Sequence, residues 1–167
     1  MEIRKSRVGD LDRMVEIFAA ARAFMAANGN PGQWGDGYPQ RAALEEDIAR
    51  GRSYVVLEAG KVVGTFVFFV GHEPVYDVIT NGAWSAEKPY GVIHRVASDG
   101  VTRGVGRACF DFCAAQADYI RIDTHEKNRP MQQALQRYGF RRCGDVVYED
   151  GKERIAFDYV GNKTKAH

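Results

Sequence analysis

Lysine and arginine form no run or stripe along these 167 residues. The 23 basic and 22 acidic side chains nearly cancel, so the electrostatic footprint of a nucleic-acid binder is missing. Cysteine is scarce: Cys109, Cys113 and Cys143 cannot pair completely. No basic, apolar and small-residue order marks a signal peptide at the N-terminus, so a reducing cytoplasm is the expected compartment. Long apolar runs are missing too. The most apolar stretch, Val62 to Val70, is broken by Gly64 and Thr65 and is too short for a membrane helix. Repeats, low-complexity blocks and the G-K-[ST] of a phosphate-binding P-loop are all lacking.

What is present suits one α/β (α+β) domain over residues 1–160, followed by a polar tail at 161–167. With 45% hydrophobic residues the chain can fill one sizeable core but hardly two. Met1 to Arg4 reads as a first strand. Leu11, Met14, Val15 and Phe18 then recur at helical spacing. Residues 28–39, with four glycines and two prolines, form a loop before a short helix at 41–49. Val- and Phe-rich runs at 54–58 and 61–70 flank Ala59-Gly60 as an antiparallel hairpin. After an irregular stretch, 91–97 is a strand, 105–115 a helix and 119–124 a strand, which together make a strand, crossover helix, strand unit. Asn128 and Pro130 open a last helix that ends at Gly139, and Asp150-Gly151 turns a closing hairpin. That order predicts a mixed, mostly antiparallel sheet of about seven strands with helices on both faces.

Between the strand at 91–97 and the helix at 105 lies Ser98-Asp99-Gly100-Val101-Thr102-Arg103-Gly104-Val105-Gly106-Arg107. Gly104 and Gly106 let a ligand approach the backbone there, and the positive end of the helix dipole favours an anion such as a pyrophosphate. On its own such a loop is also explained by turn chemistry and capping. Together, the strand Val92 to Ala97, the run Arg103-Gly104-Val105-Gly106, and Asn128 followed one helix later by Gly139-Phe140 resemble the GNAT superfamily of acyl-CoA-dependent N-acetyltransferases. The resemblance is firm over about Gly91 to Phe140. It implies that the loop cradles the pyrophosphate of coenzyme A, that pantetheine lies along the preceding strand, and that the asparagine and its helix border the cofactor. Carried over, the cofactor-binding residues are Val96, Ala97, Val101, Thr102, Arg103, Gly104, Val105, Gly106, Arg107, Asn128, Met131 and Leu135. Two features depart from the family pattern. Val101 and Thr102 stand where Arg or Gln and then Gly are usual, and Leu135 stands where the family often has a tyrosine that protonates the leaving thiolate.

Acetyl transfer to an amine needs a neutral nucleophile, a polarised carbonyl and a proton for sulfur. A lysine-like amine is neutral in only about one molecule in two or three thousand at pH 7, so a base or a water chain is expected. The resemblance implies an oxyanion donor in the backbone around His94. The His94 side chain is a candidate base, with a packed, hydrogen-bonded histidine as the alternative. His125 is a candidate acid, base or acceptor contact, with capping of the next helix as the alternative. Tyr138, three residues after Leu135, is the candidate acid. Cys109 and Cys113 read as buried structural residues, and no metal site is expected.

Gln33, Trp34 and Tyr38 on the first long loop, with Trp84 and Tyr90 on the second, are candidate acceptor-binding residues, or else plugs for the core. Asp36, Glu73 and Asp77 are candidate partners for a cationic acceptor. The expected activity is transfer of acetyl from acetyl-CoA to a primary amine of a small molecule or peptide, with no nucleic-acid or membrane partner. The closing hairpin offers an edge through which two copies can pair as a homodimer. The alternatives are a non-catalytic CoA-binding module, or an acyltransferase using a longer acyl-CoA or a hydroxyl acceptor.

Overall fold

Seven strands form one sheet in the order β1-β2-β3-β4-β5-β7-β6 in a computed structural model of the chain. The structure describes residues 1–34 and 37–161, so Asp36 and the tail at 162–167 lie outside the described residues. The strands are β1 (Glu2–Lys5), β2 (Ser53–Glu58), β3 (Lys61–Val70), β4 (Gly91–Ser98), β5 (Tyr119–Thr124), β6 (Arg141–Val147) and β7 (Glu153–Val160). The helices are α1 (Leu11–Ala27), α2 (Arg41–Ala49), α3 (Val105–Gln116) and α4 (Arg129–Tyr138). The ladders of β1 with β2, β2 with β3, β5 with β7 and β6 with β7 are antiparallel, and that of β4 with β5 is parallel. The expected element order is therefore present. Among the described residues no helix is long and apolar enough to cross a membrane.

Two compact units make up the chain. The first comprises Met1–Phe68 and His94–Phe112. Its core sets Leu11, Met14, Ile17 and Phe18 of α1 and Leu44 of α2 against Val55, Leu57 and Ala97 of the sheet. The helical spacing of those α1 positions is what lets one stripe bury itself. On the other side of the strands, Tyr54 stacks on Phe66 at 5.3 Å, and Phe112 of α3 tilts against Tyr54 at 4.9 Å.

The second unit comprises Phe69–Ile93 and the chain from Cys113 onward. Tyr76, Trp84, Val92, Cys143, Val146 and Ala156 form its core. Asp158 of β7, 1% exposed, anchors the irregular segment: it accepts the Ser85 N–H at 2.7 Å, the Ser85 hydroxyl at 2.7 Å and the Tyr119 hydroxyl at 2.9 Å. Gly139 closes α4 with φ +117°, a left-handed cap that an L side chain would strain. The three cysteines are free and buried, and burial pushes the Cys143 thiol up to about 11. That shift is opposite to the one that makes a thiol reactive.

Candidate active site

In the first unit, the loop before α3 is built around Asp99. Its carboxylate accepts the N–H groups of Val101 (3.0 Å) and Thr102 (2.8 Å) and the Thr102 hydroxyl (2.8 Å). Burial works against its charge, but these donors hold its pKa below the ordinary carboxylate value. The N–H groups of Val101 and Thr102 are thus already committed to Asp99. The next open donors come from Arg103, Gly104, Gly106 and Arg107, whose N–H groups have no hydrogen-bond partner among the described residues. The first bond of α3 runs from the Ala108 N–H to the Gly104 carbonyl at 3.0 Å. Gly104 takes φ +84°, and a side chain at Gly106 would meet nothing within 4 Å. Unpaired N–H groups at a helix N-terminus are the arrangement that binds phosphate. Val105 is buried, while the side chains of Arg103 and Arg107 are exposed.

Strand β4 leads into this loop. Its ladder with β5 pairs Gly91, Val92 and Ile93 with Ile120, Arg121 and Ile122, and β4 itself continues to Ser98. His94 is half-buried, as is Val96, and Ala97 is buried. Arg95 is left-handed at φ +52°, a conformation that costs a non-glycine residue roughly 1–2 kcal/mol. Two contacts hold it there. Its guanidinium pairs with Asp47 of α2 at 2.5 Å, and its Nε donates to the Tyr38 hydroxyl at 3.3 Å. Burial raises the Asp47 pKa, while Arg95 and the nearby His94 oppose that rise.

The acceptor candidates of this unit are partly occupied. Trp34 packs edge-on to Phe18 at 5.5 Å and lies 6.2 Å from Tyr38. Gln33 accepts the Asn30 side-chain amide at 2.9 Å. Tyr38 is 39% exposed, with Arg95 5.7 Å from its ring centre. Sequence reasoning did not single out Asp47 or Arg95, which stand 48 residues apart.

In the second unit, Asn128 caps α4 by accepting the Met131 N–H at 3.3 Å. His125 completes the turn: its Nδ1 accepts the Lys127 N–H at 3.0 Å, and its carbonyl accepts from the Asn128 N–H at 3.0 Å. With Nδ1 so used, a neutral ring carries its proton on Nε2. Burial, and next Arg154, lower the His125 pKa and so favour that neutral form. Nε2 is therefore a donor, and serving as a base at Nδ1 would break the turn. His125→Ala is expected to cost about 1 kcal/mol through the lost cap. In His125→Asn the shorter side chain can accept the same N–H, so thermal melts should recover. Thiol release that stays low in the recovered variant would show a role for the ring beyond the cap.

Leu135 is fully buried. Tyr138 ends α4 and packs on Tyr159 and Phe140 at 5.3 and 5.9 Å. Ten residues of helix put it about 15 Å along the axis from Asn128. Trp84 is 8% exposed, and its Nε1 donates to the Tyr76 carbonyl at 3.0 Å. The guanidinium of Arg121 lies 4.3 Å from the ring centres of both Trp84 and Tyr90, and the Tyr90 hydroxyl accepts the Glu73 N–H at 2.9 Å. Asp77 is paired with His72 at 2.7 Å. No metal-binding group of three or more His, Cys, Asp or Glu forms among the described residues.

Solved structures share this architecture. A GNAT-family acetyltransferase from Streptococcus agalactiae 2603 is 34% identical, with 97% of this chain and 96% of that chain covered and a TM-score of 0.87. The chain belongs to the GNAT family of acetyltransferases. Acyl-CoA-dependent acetyl transfer is accordingly the general chemistry of this GNAT protein. A Staphylococcus aureus Mu50 protein shares the fold at 24% identity, with 96% and 99% coverage and a TM-score of 0.70. So does a ribosomal-protein-alanine N-acetyltransferase from Brucella melitensis, at 14% identity, 96% and 99% coverage and a TM-score of 0.65. No protein-family model and no curated protein matches the chain.

Proposed function

We propose that this GNAT protein is an N-acetyltransferase that moves acetyl from acetyl-CoA to a primary amine of a small molecule or peptide, by direct transfer in a ternary complex. The observation that carries this reading is the set of unpartnered N–H groups at Arg103, Gly104, Gly106 and Arg107 ahead of α3. An anionic pyrophosphate fits them. The guanidinium groups of Arg103 and Arg107 add charge at the same place. When bound, acetyl-CoA supplies an activated acyl group and a thiol leaving group.

The remaining tasks fall to the chain. On this reading the backbone at His94, next to the left-handed Arg95, donates to the developing oxyanion, and rigid donors of this kind need no reorganisation. The His94 side chain takes the proton from the attacking amine. Tyr38 and Trp34, beside the Arg95–Asp47 pair, form an acceptor wall. Of the two acid candidates, His125 Nε2–H is the better hydrogen-bond donor to a departing thiolate. Tyr138 is packed at the far end of α4. The closing hairpin places β6 at the sheet edge, where a second copy can pair.

The test is thiol release from acetyl-CoA with a panel of primary amines and matched alcohols. Release with amines alone supports N-acetyl transfer, and release with alcohols alone overturns it. Acetyl-CoA binding without release for any acceptor favours a non-catalytic module.

A further inference from the structure

Strand β4 makes an uncommon turn at Arg95. Among the described residues, Ala59, Asn81 and Arg95 are the non-glycine residues with φ in the left-handed region, and of these only Arg95, at +52°, lies inside a strand. Nearby turns use glycine for the same purpose, at Gly100 (φ +81°) and Gly104 (φ +84°). For its backbone alone an arginine is a poor choice here, since its Cβ opposes this conformation. What it has and glycine lacks is a long side chain.

That side chain is fastened twice, by residues from two other segments of the same unit. Nη1 donates to Oδ2 of Asp47 on α2 at 2.5 Å, and Nε donates to the Tyr38 hydroxyl at 3.3 Å. The pair is largely withdrawn from water, with 22% of the Arg95 side chain and 15% of the Asp47 side chain exposed. Leu44 anchors α2 in the core that also holds Ala97 of β4. Beyond the turn, the Asp99 N–H donates to the Val63 carbonyl of β3 at 2.9 Å and so pins the end of the strand. A strained residue persists only where its surroundings over-determine it, and such residues gather where backbone placement is part of the mechanism. The peptide that the φ angle of Arg95 turns is the one joining it to His94.

We infer that Asp47 is a positioning residue for acetyl transfer: through Arg95 it holds the left-handed turn of β4, and with it the His94 backbone that donates to the developing oxyanion. The inference rests on the oxyanion reading of His94 proposed above. It adds that the donor is aimed by a side-chain pair reaching over from α2, and it gives Asp47 no contact with the reacting atoms.

The experiment is NMR of acetyl-CoA carrying ¹³C at the thioester carbonyl, bound to the full chain without an acceptor. A hydrogen bond to the thioester oxygen polarises the carbonyl and moves its resonance downfield. The wild-type resonance should lie downfield of that of free acetyl-CoA. In Asp47→Ala it should fall back toward the free position, while acetyl-CoA affinity stays within about threefold of wild type. Two double variants separate backbone placement from side-chain packing: Asp47→Ala with Arg95→Gly, and Asp47→Ala with Arg95→Ala. Both remove the whole pair, so neither leaves a half-buried charge alone, and they differ by one methyl group. Glycine reaches φ +52° without penalty, so the glycine double should regain most of the downfield shift and the alanine double should not. Equal carbonyl positions in wild type and Asp47→Ala, or in the two doubles, would overturn the inference and leave the cofactor reading standing. A wild-type resonance that stays at the free position on binding would overturn the oxyanion reading of His94 and this inference with it. No binding of acetyl-CoA would overturn all three. Should Asp47→Ala fail to fold, the two doubles decide.

Discussion

Gly106→Asp is expected to weaken acetyl-CoA binding by about 100-fold or more, equivalent to roughly 3 kcal/mol, without lowering the melting temperature. Gly106 sits in the first turn of α3, and a side chain there meets no atom within 4 Å. Replacing a helical glycine removes an entropic cost of about 0.5–1 kcal/mol, and an acidic residue in the first turn complements the helix dipole. The fold should therefore be indifferent or slightly favoured. The same carboxylate would compete for the open N–H groups and repel a pyrophosphate. Gly104 is a poorer test, because its φ of +84° would strain any substitute. Wild-type affinity in Gly106→Asp would mean that the cofactor does not approach this turn.

Arg121→Ala is expected to destabilise the protein by about 3 kcal/mol, lowering the melting temperature by roughly 6–12 °C for a chain of this size. The Arg121 side chain is only 4% exposed, and its planar group fills the space between Trp84 and Tyr90. Truncation removes both ring contacts. It also leaves the Ala86 carbonyl and the Tyr119 hydroxyl without a donor. An unchanged melting temperature would show that the two rings hold each other without the cation, and would return Trp84 and Tyr90 to the surface available to an acceptor.

Local chemistry was legible wherever neighbours in sequence decide it. Helical spacing from Leu11 to Phe18, the Asn128 cap, the Gly139 stop and the Asp150-Gly151 turn all mark real boundaries. The placement of β7 between β5 and β6 was not legible, because strand order depends on how the chain crosses the sheet. In the loop before α3, the glycines marked the turn that leads into the helix. The Asp99 side chain, however, takes the N–H groups of Val101 and Thr102. Asp followed by Gly and Thr is a turn-forming pattern that contained that signal.

Long-range pairs explain the rest. A left-handed Arg95 inside a strand has no sequence signature, and Asp47, which holds it, comes from a different helix. Trp84 and Tyr90 read as candidates for display because they lie on an irregular stretch that contains Pro74 and Pro89. Yet a buried arginine on β5, read only as part of an apolar strand, occupies both rings.

The most direct measurement is calorimetric titration of the purified protein with acetyl-CoA and, separately, with ATP and NADPH. Micromolar binding of acetyl-CoA alone is the expected result. Failure to bind acetyl-CoA, or equal binding of ATP, would contradict the assignment of the open N–H groups before α3 to the pyrophosphate of coenzyme A.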